Sequence, residues 1–170
     1  MFFRRRPRAA DAPPTSSADA PDPAEDEADV ADQARQLQVT LAGIVQQANR
    51  DGGRLPPGAV PTVRDIDDVL RPLLQYVETR SASDEEMRHL SAIISDYLPT
   101  ALGDFMALPA QYTERPGVTG TTPALDLVRQ LALLDEGAND LQDLVYTGDA
   151  AQLAIQARFL DAKFRRSDLD

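Results

Sequence analysis

The apolar positions recur in steps of three and four, the spacing that lines up one face of a helix. Val30, Ala34, Leu37, Leu41, Ile44 and Ala48 form a first stripe, giving a helix of about 20 residues and roughly 30 Å with Asp29 as its N-cap. Gly52 and Gly53 stop it, and the prolines of Leu55 to Pro61 make Gly52 to Pro61 a connecting loop. Thr62 followed by Asp65 resembles a cap before a second stripe of Val63, Ile66, Leu70, Leu73 and Val77, in which Pro72 should kink or break the helix. Ser83 with Glu86 forms a capping box ahead of Met87, Leu90, Ile94 and Tyr97, a stripe that Pro99 interrupts. Leu102, Phe105, Met106 and Leu108 predict a short helix that Pro109 ends.

Pro109 to Thr122 has no periodicity and reads as the longest loop of the folded part. Thr122, with Pro123 at the first helical position, opens a long helix that buries Leu127, Leu131, Leu134, Ala138, Leu141 and Val145, with Leu125 and Val128 widening the face. Gly148 is predicted to end it in a left-handed conformation. Asp149 with Gln152 would then cap a final helix burying Leu153, Ala157, Leu160 and Phe164, with Lys163, Arg165 and Arg166 complementing its dipole.

No segment alternates apolar and polar residues as a strand would. The predicted fold is all-α, an elongated antiparallel helical bundle of four to five helices resembling an intramolecular coiled coil. It occupies residues 29–166, between an N-terminal tail 1–28 and a short C-terminal tail 167–170. Pro13, Pro14, Pro21 and Pro23, set among Ala, Ser and acidic residues, leave little to bury, so the tail is expected to be disordered.

Composition narrows the chemistry. The 170 residues carry 17 basic and 28 acidic side chains, a formal net charge of −11, with no Cys and no Trp. Such a balance repels phosphate backbones and argues against nucleic acid as a partner. The lack of cysteine removes disulfides, thiolate metal sites and cysteine nucleophiles. Lys163 is the only lysine and His89 the only histidine, which leaves little for Schiff-base or imidazole chemistry. Glu86 and His89 match an iron-ligand spacing only once, and adjacent acids such as Asp67 and Asp68 diverge by about 100° around a helix. No metal, cofactor or catalytic residue is therefore expected, and His89, off its apolar stripe, is read as exposed. Gly137 and Asn139 interrupt the long helix, and packing at a close helix crossing is the expected reason for the glycine.

No apolar run is long enough for a signal sequence or a spanning helix, so export by that route is not expected and the protein should be soluble. Phe2, Phe3, Arg4, Arg5 and Arg6 form a basic aromatic tip before an acidic stretch. Aromatic insertion, plus about 1 kcal/mol per arginine, could hold such a tip on an anionic membrane or a protein partner.

Three segments carry a family resemblance: Ile94 to Leu102 (ISDYLPTAL), Leu125 to Leu134 (LDLVRQLALL) and above all Gly148 to Phe164 (GDAAQLAIQARFLDAKF). Over roughly residues 85–165 the chain resembles the bacterial XpaC-like family, named for 5-bromo-4-chloroindolyl phosphate hydrolysis, and related actinobacterial proteins associated with toxic-anion resistance. The resemblance implies a tyrosine-leucine helix leading through a loop into a long helical pair, in a cytoplasmic protein linked to a stress or toxic-anion response. It carries over no active residue, and the chain departs from the family plan in lacking apolar spanning segments near the N-terminus.

The reading that follows is a non-enzymatic interaction module or adaptor for a protein partner, with Leu55, Val60, Tyr112 and Val118 as loop apolars that could contact it. The stripes also permit a homodimer. One alternative is a phosphoester hydrolase, as the family name suggests. Another is a peripheral membrane regulator acting through the FFRRR tip.

Overall fold

The computed structural model describes the backbone of residues 23–80, 82–118 and 120–167, and side chains within residues 27–151. The regular structure of the described residues is all helical: α1 (Pro23–Arg50), α2 (Ala59–Thr79), α3 (Asp84–Ser91), a π-helical turn (Ala92–Tyr97), α4 (Leu98–Ala107), a 3-10 turn (Ala110–Tyr112) and α5 (Pro123–Ser167). Because α3, the π turn and α4 run on without a break, four rods make the bundle.

Each rod lies antiparallel to the next in sequence, as expected. Asn49 at the end of α1 meets Arg64 near the start of α2, and Arg35 meets Glu78 at the other end. Lateral neighbours do not all follow sequence order. Val69 and Tyr76 of α2 bond Gln142 and Asp149 of α5 in ascending order, so those two helices run parallel. The α3–α4 rod therefore packs between α5 and α1, diagonal to α2. The core is the sum of the stripes: Leu41, Ile66, Leu70, Leu73, Leu90, Ile94, Leu98, Leu131 and Val145 are wholly enclosed. Each such side chain contributes about 1.5–3 kcal/mol of apolar transfer.

Several predicted boundaries move. Helix α1 begins at Pro23, ahead of Asp29. Proline suits a first helical position, where its missing N–H would have no partner in any case. Helix α2 starts at Ala59, after Gly58 at φ 94°, a left-handed conformation that glycine adopts without steric cost. Thr62 therefore lies inside the first turn, where its hydroxyl donates to the Gly58 carbonyl. Pro72 sits within an unbroken α2. Ser83 does cap α3, its hydroxyl accepting from the Glu86 amide while Glu86 accepts from the Ser83 amide.

Pro99 does not break the third rod. Its nitrogen has no hydrogen to give, and the turn before it widens until the Leu98 amide donates to the Ile93 carbonyl, five residues back. The wide turn changes the phase. Tyr97, expected on the buried stripe, points to solvent, and Leu98 is buried in its place.

The largest departure is α5. One helix of 45 residues, about 67 Å, replaces the expected helical pair. Gly148 is helical, and positive φ among glycines is confined to Gly58 and Gly120. Asp149 does not start a new helix; it accepts from the Tyr76 hydroxyl at 2.8 Å and pairs with Arg80. Leu153, Ala157, Leu160 and Phe164 lie in its helical backbone, but their side chains are outside the described residues.

Candidate functional site

The sequence-derived contact residues do not form one site. Phe2, Phe3, Arg4, Arg5 and Arg6 lie outside the described residues. Leu55 is buried against the core and Val60 packs half-buried within α2, so both are corrected from exposed loop positions to packing residues. Loop apolars tuck inward here because Arg54 donates to the Met106 carbonyl at 2.9 Å and draws the α1–α2 loop onto the end of α4. Tyr112 and Val118 are exposed. The Arg115 guanidinium stacks over the Tyr112 ring at 5.6 Å, and the two residues belong to the loop between α4 and α5.

What the helices do bring together is a groove between the third rod and α5. His89, Ala92, Ile93 and Tyr97 supply one wall; Gly137, Asp140, Leu141 and Leu144 supply the other, around an open space of about 310 Å³. The π turn creates the first wall by turning Tyr97 outward, leaving it 53% exposed, while Leu144 opposite is 58% exposed. Leu133, one turn before Gly137, continues the exposed apolar line. Heptad-like spacing of Leu133, Gly137, Asp140 and Leu144 thus gives α5 a second stripe that, among the described residues, no other helix covers.

Gly137 has an unexpected setting. A Cβ there would meet nothing within 4 Å, so among the described residues no close crossing requires the glycine. Glycine inside a helix costs about 1 kcal/mol relative to alanine. At this position the missing side chain leaves the groove open.

The rim is acidic. Asp140 lines the groove itself. Glu136 and Asp143 stand one turn either side of it on α5, and Glu85 and Asp96 flank the other wall; all are exposed. Arg88 faces the opposite side of its helix, lining a cleft with Val30 and Gln33 of α1. The nearest described cation of α5, Arg129, is eight residues or about 12 Å before Gly137. A groove with an apolar floor and carboxylates around it suits a basic amphipathic segment.

Elsewhere the ionisable side chains serve the fold. Arg80 pairs with Glu86 at 3.1 Å and Asp149 at 3.0 Å while lying over the Tyr76 ring, tying the end of α2 to α3 and α5. The hydrogen bond to Asp149 and partial burial push the Tyr76 hydroxyl above its ordinary pKa. Asp67, the buried acid, holds Arg71 through two contacts of 2.7 Å. Asp135 is raised above the usual carboxylate range by burial and by nearby Asp65, and one of its oxygens is enclosed without a hydrogen-bond partner among the described residues. Among the described residues no three His, Asp or Glu side chains gather as metal ligands, and no helix is long and apolar enough to cross a membrane.

Comparison with protein-family models, curated proteins and solved structures yields no match. The reading of the groove rests on its own geometry.

Neither its glycine nor its tyrosine was read as functional in the sequence. The available signal was the second α5 stripe, which the strong core stripe of Leu131, Ala138, Leu141 and Val145 overshadows.

Proposed function

We propose that this chain is a non-enzymatic, cytoplasmic interaction module whose groove between the π turn and α5 docks a basic, amphipathic segment of a protein partner. The observation that carries the proposal is the pairing of outward-turned Tyr97 with Leu144 across an apolar floor rimmed by acids. Burying two half-exposed apolar side chains of that size returns about 2–3 kcal/mol, a useful core for a transient interface. The acidic rim would orient the partner and speed its approach. The resemblance of the second half to toxic-anion-resistance proteins supports placing the module in a bacterial stress response.

The test is site-specific photo-crosslinking of the full chain in its own cells. A photoreactive residue at Leu144 is expected to capture a discrete protein that the same residue at Val39, exposed on α1, does not. Equal capture from both positions, or none from Leu144, would remove the groove from the account.

A further inference from the structure

Resting on the groove being a docking surface, the geometry points to one occupant within the chain itself: we infer that residues 2–8, FFRRRPR, fold back and seat on the groove between the π turn and α5, so that the tip and an outside partner compete for it.

Three observations converge. The first is chemical fit. Phe2 and Phe3 offer aromatic side chains for the floor formed by Ala92, Ile93, Leu141 and Leu144, and Arg4, Arg5, Arg6 and Arg8 offer guanidinium groups to the rim acids Asp140, Glu136, Asp143, Asp96 and Glu85. Four of the 17 basic residues of a chain with net charge −11 are concentrated in those seven positions. The same excess of negative charge opposes two acidic rims meeting, which disfavours a second copy of the groove face as the occupant.

The second is reach. Helix α1 starts at Pro23, and Val30 stands beside Met87 at the head of α3, at the level where His89 enters the groove. Seven residues of helical rise and one or two interhelix spacings place the groove roughly 25 Å from Pro23. The stretch from Arg8 to Pro23 can span up to about 50 Å, well beyond that distance. A linker of that length holds its tip at a millimolar effective concentration, so an intrinsic affinity of about 1 mM fills the groove half the time.

The third is the open space at Gly137. A helical glycine without close neighbours inside the chain leaves room for main chain or an aromatic ring to lie against the helix backbone.

The chain has no cysteine, so Ala10→Cys gives the full-length protein a single attachment point for a nitroxide beside the tip. The expected result is paramagnetic loss of roughly half or more of the amide signals of Ala92, Gly137 and Leu144, with Val39 unaffected. Combining Arg4→Glu, Arg5→Glu and Arg6→Glu should restore those signals and raise photo-crosslinking of an outside protein from Leu144. Broadening of Val39 equal to that of Leu144, or groove broadening that survives the charge reversal, would overturn the inference. Broadening that appears only between labelled and unlabelled copies would assign the tip to a neighbouring molecule and also overturn it. An unaffected groove, with the tip bound to phosphatidylserine vesicles, would assign the tip to a membrane. If photo-crosslinking from Leu144 persists while tip broadening is absent, the docking surface stands and the self-docking inference fails.

Discussion

Replacing Arg80 with alanine should cost the fold about 2–3 kcal/mol. The side chain is 21% exposed and its partners Glu86 and Asp149 are 16% and 19% exposed, placing both ion pairs between surface and interior. Exposed pairs contribute roughly 0–1 kcal/mol, whereas removing one partner of a buried pair costs roughly 3–5 kcal/mol because the remaining charge stays uncompensated. Here one cation neutralises two carboxylates on different helices, so Arg80→Ala leaves two uncompensated acids facing each other in an already acidic protein. The lost stacking on Tyr76 at 5.2 Å adds about 0.5–1 kcal/mol. Urea unfolding followed by circular dichroism measures the difference, with Arg35→Ala as the control, since Arg35 forms pairs on an exposed face of α1. Arg80→Lys should fall between the wild type and alanine, because it keeps the charge and loses the fork. A loss below about 0.5 kcal/mol for Arg80→Ala, or one equal to that of Arg35→Ala, would refute the reasoning.

Other substitutions test other parts of the account. Gly148→Ala should raise stability by about 0.5–1 kcal/mol by urea titration, since the residue is helical and an added Cβ meets nothing within 4 Å; a loss would restore the broken-helix reading. Leu98→Ala should cost about 2–5 kcal/mol and Tyr97→Ala almost nothing, the opposite of what an unbroken α-helical phase requires. Asp135 has a folded-state pKa above its ordinary value, so its penalty is absent below the unfolded pKa and grows as pH rises through the folded one. Asp135→Asn should therefore stabilise the protein at neutral pH and lose that advantage in acid, read from unfolding midpoints across that range.

The core was legible because every rod buries a stripe set by the three-four spacing, and residues such as Leu41, Leu70, Leu90 and Leu131 needed no tertiary information to be placed inside. Punctuation was less legible. Gly148 and Pro99 look like helix ends, yet one continues in helix because Tyr76 and Arg80 engage the next residue, and the other because a π turn absorbs its missing donor. Leu55 and Val60 fall in a proline-rich stretch without periodicity, so only the Arg54 anchor to α4 reveals that they pack inward. The groove was hidden for a related reason. It depends on Tyr97 leaving its predicted stripe, a one-residue shift of phase that no spacing rule along α3 announces, and on Gly137, whose open surroundings are visible only in three dimensions.

The central claim, that the groove is a docking surface, is tested most directly by photo-crosslinking from position 144 with and without Gly137→Leu, a side chain that fills the open space. The account predicts that the substitution abolishes the Leu144 adduct while leaving the unfolding midpoint close to that of Gly137→Ala. An adduct of undiminished yield in the plugged variant would contradict it.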